Sequence, residues 1–313
     1  MIDSKYKTPL SAGRILPKCT YCGRPAVYRR RTSGEYFCGA CFTRAFIRRI
    51  RKTIAEYSML TPTSSILLFF SPDMPVTSLA MIDSIIKLEK EYPTRIYISL
   101  PTDYKDFDTI EKVLGEKYCS LKEQLYLVIG EYAGFFSSRS SLNDRYVLSR
   151  LLSLSIAEHV SVNSILLPYS LESLAVLVLA NILSAKIDSV VYIEPVVKLN
   201  NITIGYPLYD TPWDDIVFYG YIRGIYELGL ISGIYSNCSK IEKRAYGIYR
   251  DLALISKELA YNILKNPSVF REALGLEKVS AECGGRIVKS MLDECSSLRR
   301  MVRNIRVEIL SLC

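Results

Sequence analysis

Four cysteines near the N-terminus have the spacing of metal ligands. Cys19 and Cys22 form one CxxC pair, Cys38 and Cys41 form a second, and 15 residues separate the two pairs. The backbone of such a pair turns so that both thiolates face one point, and two pairs together give the tetrahedral shell that Zn²⁺ prefers. Four protein ligands leave no position for water, so the predicted cofactor is structural zinc. Free thiols and an iron–sulfur cluster are the alternatives.

Basic side chains surround these cysteines. Residues 1–52 contain 13 Lys and Arg against two Asp and Glu, a net charge of +11, whereas the other 261 residues have a net charge of −3. Arginine can bind phosphate oxygens in a bidentate manner, so this module predicts contact with a nucleic-acid backbone. Docking on an acidic protein and a merely solvated surface remain open. The predicted contacts are Arg29, Arg30, Arg31, Arg44, Arg48, Arg49, Arg51 and Lys52.

The elements that must position these residues begin with a predicted helix over 43–57, whose apolar residues recur every three or four positions. Strand and helix patterns then alternate. The apolar runs that predict strands are 66–70, 95–100, 125–129, 164–167 and 189–193, and the helical patterns are 78–92, 107–117, 144–159 and 171–183. This alternation predicts an α/β fold with a doubly wound parallel sheet. Beyond Pro195 the patterns at 213–228 and 241–264 predict a mainly helical region.

Composition narrows the class of protein. With 49% hydrophobic and 23% charged residues among 313, the chain has enough apolar content for a core, which excludes a disordered chain. Its longest apolar run, 174–183, is far shorter than the ~20 residues that span a bilayer. The first 17 residues lack the apolar segment of a signal peptide. We therefore expect a soluble, cytoplasmic protein without a membrane partner.

The order of these parts resembles a known family. The cysteine ribbon leads into "CFTRAFIRRIRKTIAEYSML", and an alternating α/β region and a cysteine-bearing tail follow. This resembles the tRNA 2-thiolation enzymes of the TtuA type and their eukaryotic wobble-uridine relatives, which are PP-loop ATP pyrophosphatases. The resemblance implies a PP-loop, HUP-like fold and tRNA as a partner. Family members adenylate a uridine carbonyl of tRNA and replace its oxygen with sulfur, and several use an iron–sulfur cluster held by three cysteines.

The resemblance also suggests a domain organisation. The C-terminal part would be a reduced ribbon in which Cys283 and Cys295 remain, and whether they bind metal or form a disulfide stays open. The predicted parts are a zinc ribbon at 1–42, a basic linking helix at 43–60, a degenerate PP-loop α/β domain at 61–200, a helical extension at 201–278, and a degenerate ribbon with a basic helix at 279–313.

The phosphate loop departs from the family pattern. The family has SGGKDS between the first strand and helix, where glycines let N–H groups approach pyrophosphate and lysine supplies charge. This chain has "SPDMPVTS" instead, which lacks both glycines and the lysine. Its prolines remove N–H donors, and its aspartate adds negative charge where phosphate would lie. The residues of this degenerate loop are Ser71, Pro72, Asp73, Met74 and Ser78.

The resemblance also implies ligands for an iron–sulfur cluster, and these are missing from the sequence. The central CxxC pair would fall near 135–146, where this chain has no cysteine, and only Cys238 could match the third ligand. Because one thiolate cannot hold a cluster, an iron–sulfur cluster is not expected. ATP is not expected either, because the phosphate loop departs from the family pattern. The segment 167–175, "LPYSLESLA", likewise lacks the histidine and paired acids of its family counterpart.

These departures predict a protein without catalytic residues. The leading hypothesis is a degenerate paralogue or subunit of a tRNA 2-thiolation enzyme that binds tRNA, an active PP-loop paralogue, or both, as a heterodimer or a homodimer. The alternatives are an active ATP-dependent tRNA sulfurtransferase with an altered phosphate loop, and a zinc-ribbon nucleic-acid-binding or regulatory protein unrelated to thiolation.

Overall fold

The computed structural model describes residues 17–31, 33–121, 123–137, 141–186, 193–199, 201–225, 238–265, 302 and 305–311. The chain divides into two compact units, Met1–Phe46 and Ile47–Cys313. The five predicted domain limits are finer than this division and stay predictions. Within the described ranges, no helix has both the length and the apolar character needed to cross a membrane.

The first unit is a small antiparallel ribbon followed by a helix. Strands β1 (Tyr28–Arg29) and β2 (Tyr36–Phe37) pair with Tyr28 opposite Phe37. Helix α1 (Gly39–Glu56) begins four residues before the predicted start at 43, so Cys41 lies in its first turn. The aromatic side chains of Phe37, Phe42 and Phe46 are buried and form the small core of this unit.

The second unit is built on a seven-stranded sheet with the order β7-β8-β6-β3-β4-β5-β9. Its strands are β3 (Ile66–Phe69), β4 (Ile96–Pro101), β5 (Leu125–Gly130), β6 (Ser164–Leu166), β7 (Val196–Leu199), β8 (Ile202–Gly205) and β9 (Val307–Ser311). The five inner strands are parallel, and β7 and β9 are antiparallel at the two edges. The chain runs from β3 to β5 and then returns to β6 on the other side of β3. This confirms the α/β prediction and gives a topological switch point between β3 and β6.

Helices connect these strands and cover the sheet. They are α2 (Pro75–Glu89), α3 (Phe107–Tyr118), α4 (Ala133–Ser137), α5 (Leu142–Val160), α6 (Leu171–Leu183), α7 (Trp213–Ile222), α8 (Lys240–Ile255) and α9 (Lys257–Lys265). Local sequence explains several of their ends. Pro75 occupies the first turn of α2, where its missing N–H costs nothing. Ser141 caps α5 by accepting a hydrogen bond from the Asp144 N–H. Helix α5 ends at Val160, and the capping residue that follows, Ser161, has the left-handed conformation.

Some predicted elements differ from the structure. The predicted helix 241–264 is two helices, because Ser256 has an extended backbone. Helix α7 ends at Ile222, before a turn in which Gly224 has a φ of +71°, a conformation that favours glycine. The sheet continues past the predicted limit at 200 with β8 and β9, and 307–311 is an edge strand within the region where a basic helix was predicted. Most of the predicted strand 189–193, and both Cys283 and Cys295, lie outside the described residues.

Candidate metal centre and phosphate loop

The two CxxC pairs meet in the first unit, as their spacing predicts. The sulfur atoms of Cys19, Cys22, Cys38 and Cys41 all lie within 4.8 Å of one another. The Sγ atoms of Cys22 and Cys38 are 3.5 Å apart. Three of the cysteines are buried, and Cys22 is exposed. Four thiols converge on one point, so the donor set fits a thiolate-ligated metal centre.

The surroundings of the four sulfur atoms favour negative charge at some positions and oppose it at others. Burial raises the pKa of Cys19, but hydrogen bonds from nearby backbone N–H groups, first that of Cys38, lower it to about 6. For Cys41, a hydrogen bond from Arg44 at 3.3 Å acts to lower the pKa, yet burial and the three neighbouring thiols raise it to about 11. Four thiolates at this separation repel one another, and a bound cation removes that repulsion.

The basic residues of the first unit do not share one role. Arg30, predicted to bind nucleic acid, is buried, and its Cζ lies 4.7 Å from the ring centroid of Phe37. Its guanidinium also pairs with Glu35 at 3.7 Å. Arg29 and Arg31 are exposed, and Arg44 is exposed while donating to the Cys41 thiol. The structure therefore uses Arg30 for packing, and the nucleic-acid role of the others remains a prediction.

The basic residues in the rest of α1 also differ in role: one packs and the others are exposed. Arg49 is half-buried and pairs with the buried carboxylate of Asp215, with Nη1 and Oδ2 2.9 Å apart. Arg48, Arg51 and Lys52 are exposed. Arg49 thus contributes to packing within the α/β unit, whereas the other three side chains form an exposed basic surface on the helix.

The segment predicted as a degenerate phosphate loop connects β3 to α2. It lies at the switch point of the sheet, where open α/β folds bind ligands. Its hydrogen bonds close the loop on itself: the Ser71 N–H donates to the Ser78 hydroxyl at 3.0 Å, and the Met74 N–H donates to the Ser71 carbonyl at 3.0 Å. The Ser78 hydroxyl in turn donates to the Met74 carbonyl at 2.8 Å. Pro72 has no N–H to offer.

Asp73 in this loop contacts a buried arginine that no sequence pattern singled out. Its Oδ2 lies 3.3 Å from Nη1 of Arg145 on α5, and the Arg145 side chain is 3% exposed. The Ser71 hydroxyl donates to the other carboxylate oxygen of Asp73. Arg145 also donates to the Sγ of Cys238 at 3.3 Å, so the cysteine considered as a cluster ligand contacts this arginine. Burial raises the pKa of Asp73, although Arg145 acts to lower it.

The family-like segment 167–175 contains one further unusual carboxylate. Glu172 lies in the first turn of α6 and accepts a hydrogen bond from the Trp213 N–H at the start of α7. Burial raises the pKa of Glu172 to about 8; the Trp213 N–H opposes this shift, and the charge of Asp214 adds to it. A single glutamate thus remains where the family has paired acids, and it connects two helices.

Another buried carboxylate, that of Asp83, was missed from the sequence. Asp83 lies in the middle of α2 and is 2% exposed. The sequence signal was an aspartate in the middle of a largely apolar helix, which the structure buries on all sides. A charged residue is rarely buried in this way unless its charge is paired. Five side chains surround its carboxylate: Tyr118, Tyr219, Arg223, Lys117 and Lys87.

Comparison with known proteins gives two results. Residues 18–43 match the family model described as the N-terminal LIM domain of the 2-thiouridine synthetase TtuA. The solved structure of the U34-tRNA thiolase NcsA from Methanococcus maripaludis, with its [4Fe-4S] cluster, is similar over 92% of this chain and 97% of that chain, with a TM-score of 0.66 and 18% identity. The chain has the fold of a tRNA thiolase. The predicted resemblance to TtuA-type thiolation proteins is therefore confirmed.

The thiolase comparison overturns the cofactor prediction. We expected structural zinc and no iron–sulfur cluster, whereas the solved thiolase with this fold carries a [4Fe-4S] cluster. The physical reason is that four cysteine thiolates also form the ligand set of iron–sulfur clusters, so CxxC spacing does not select zinc. What the converging sulfur atoms support is a metal-binding cysteine cluster. No curated protein matches this chain in a sequence comparison.

Proposed function

We propose that this chain is a non-catalytic member of a tRNA thiolation system. It binds tRNA through basic side chains of α1 and, as a cytoplasmic subunit, accompanies an active PP-loop partner that supplies the chemistry. The TtuA-type N-terminal module and the thiolase fold support the link to thiolation. The observation that carries the non-catalytic assignment is the phosphate loop, which is closed by its own hydrogen bonds and contains Asp73.

The loop offers little to a nucleotide. A phosphate-binding loop needs backbone N–H groups directed at the ligand, together with positive charge. Here the N–H groups of Ser71 and Met74 already donate within the loop. The Asp73 carboxylate lies in the same segment and would repel a polyphosphate.

The exposed basic surface of α1 supports the RNA-binding part of the proposal. Arg48, Arg51 and Lys52 are exposed and recur at intervals of three and one residues, which places them along one side of the helix. From Arg48 to Lys52 the helix rises about 6 Å. Phosphates advance about 3.4 Å per nucleotide along one strand of a duplex, so this surface can contact neighbouring phosphates.

The first test concerns nucleotide binding. We expect that ~1 mM Mg-ATP leaves the Tm of the full-length protein unchanged relative to the same concentration of MgCl₂ at matched ionic strength. A ligand present at about 100 times its Kd stabilises a protein by roughly 2.7 kcal/mol, which differential scanning calorimetry resolves easily. Mg-GTP serves as the control for non-specific binding. A rise of several degrees with ATP alone would contradict the non-catalytic assignment and favour an active sulfurtransferase with an altered loop.

The second test concerns RNA. We expect the triple substitution of Arg48, Arg51 and Lys52 by glutamine to weaken tRNA binding and to reduce the slope of log K against log salt by about 2–3, since each lost phosphate contact accounts for ~0.9. Filter binding across a salt series measures both quantities.

The matched control removes the same charge from other exposed positions. Lys105, Lys112 and Arg250 are exposed side chains of the α/β unit, so their joint substitution by glutamine changes the net charge equally. If both triple variants lose the same affinity, the α1 surface has no special role. If tRNA binds no better than duplex DNA at matched salt, a regulator unrelated to thiolation is the better explanation.

A further inference from the structure

We propose that Arg145 is an anion-binding residue facing the phosphate loop. The Asp73 carboxylate, which belongs to the same chain, occupies the position that a phosphate-class oxyanion would otherwise take. This inference rests on the proposed function, because it gives the physical means by which the loop is closed. It names the residue that closes the site and the class of ligand that the site would accept once that residue is removed.

The carboxylate of Asp73 is held as a bound anion would be. One oxygen accepts a hydrogen bond from the Ser71 hydroxyl, and the other lies 3.3 Å from Nη1 of Arg145. A hydroxyl and a guanidinium are common partners of phosphate oxygens in proteins. Asp73 belongs to the loop between β3 and α2 and Arg145 to α5, so the contact fastens the loop to a different element of the fold.

Arg145 requires a negative partner where it lies. Its side chain is 3% exposed, and a buried guanidinium without a counter-charge is strongly unfavourable. Its other contacts are the Ser141 carbonyl and the Cys238 thiol, and burial raises the pKa of that thiol, which favours the neutral form. Within the part of the chain that the structure describes, Asp73 is therefore the carboxylate that neutralises Arg145.

Two buried polar atoms at this position lack a hydrogen bond of good geometry to described atoms. Among the described residues, its Oδ2 is buried without a hydrogen bond of good geometry, although it lies close to Arg145. In the first turn of α2, the Thr77 hydroxyl is likewise buried and makes no hydrogen bond to described atoms. Helix α2 also begins without a side-chain cap. A compact oxyanion at this helix start would gain the dipole of the helix as well as the charge of Arg145.

Replacing Asp73 by glycine in the full-length protein tests this inference. The change removes the internal carboxylate and leaves a space beside Arg145. We expect inorganic pyrophosphate to raise the Tm of the Asp73→Gly variant by about 3 °C at roughly ten times its Kd, at constant ionic strength. The wild-type Tm should not change. Isothermal titration calorimetry should show affinity for pyrophosphate at least about tenfold higher in the variant, with inorganic phosphate binding more weakly.

Two further variants complete this test. Asp73→Ala also removes the carboxylate and serves if the glycine variant does not fold. The control is Asp251→Ala, because the exposed Asp251 carboxylate pairs with Arg250 on α8 and not with Arg145. An equal response of the Asp251 variant, or no pyrophosphate binding by either folded Asp73 variant, would overturn the inference and leave the proposed function standing. ATP binding by the wild-type protein would instead overturn the proposed function.

Discussion

Replacing Asp83 by asparagine is expected to lower the free energy of unfolding of the α/β unit by roughly 3 kcal/mol, because removal of one partner from a buried charge network leaves the others uncompensated. The network joins three helices. Asp83 on α2 contacts Arg223, directly after α7, with Nε 3.0 Å from Oδ2, and Lys117 on α3, with Nζ 2.7 Å from Oδ1. Lys87, one turn along α2, adds a third cation at 3.8 Å.

Asparagine cannot replace this carboxylate, although it has nearly the same shape. Every neighbour named here is a donor, including the hydroxyl groups of Tyr118 and Tyr219, so the amide NH₂ of asparagine would face other donors. The three cations are each about one-quarter exposed, so water relieves part of their repulsion. For that reason we expect the lower end of the range for a broken buried pair.

The same network makes stability depend on pH. Burial acts to raise the pKa of Asp83, but the hydrogen bond from Arg223 and the charge of Lys117 outweigh it and hold the pKa well below its usual range. The stabilisation is therefore present above about pH 4 and is lost as the pH falls further. Urea unfolding at several pH values measures it. The wild-type protein and the Asp83→Asn variant should differ at neutral pH and converge in acid.

An exposed ion pair provides the control for this experiment. Asp251 pairs with Arg250 on α8, and both side chains are about two-thirds exposed. The Asp251→Asn variant should change the free energy of unfolding by less than about 0.5 kcal/mol. If Asp83→Asn is equally mild, the network is not a stabilising element of the fold.

The sequence predicted four of the five inner strands, β3, β4, β5 and β6, because burial on both faces leaves a strong pattern, but it missed the inner strand β8. Strand β3 is buried along its whole length, which explains the continuous apolar run at 66–69. Helix α6 was predicted at its observed bounds from its apolar pattern, and the structure shows that Ser170 and Ser173 form a capping box at its start. Strand β9 was missed because it is a largely exposed edge strand, so it lacks such a run. Its pairing with β5 depends on contacts distant in sequence.

Contacts within the candidate site were predictable only between residues that lie close together in the sequence. The two CxxC pairs lie close together in sequence, so their convergence followed from local geometry. The packing of Arg30 against Phe37 and the contact between Asp73 and Arg145 depend on tertiary structure. The identity of the metal was mispredicted because four thiolates bind more than one kind of centre.

Loss of one metal ligand should have the largest effect on the first unit. The Cys38→Ser substitution replaces a buried thiol by a weaker ligand, and the bound metal should fall by at least about tenfold per chain. Because the described part of the unit consists of a two-stranded ribbon, the start of α1 and a few buried aromatic residues, we expect metal binding and folding to be coupled there. Residues 17–46 should therefore become sensitive to trypsin, which cleaves at their many arginines.

Metal content and proteolysis together separate a metal defect from a general one. Elemental analysis and visible absorption of protein purified without oxygen give the amount and kind of metal, and mass spectrometry locates the trypsin cuts. The matched control is Tyr21→Phe, which changes a hydroxyl within the first CxxC pair and leaves all four thiols in place. This variant should retain its metal and its resistance to trypsin. If Cys38→Ser keeps both properties, the four cysteines do not form the metal centre that stabilises this unit.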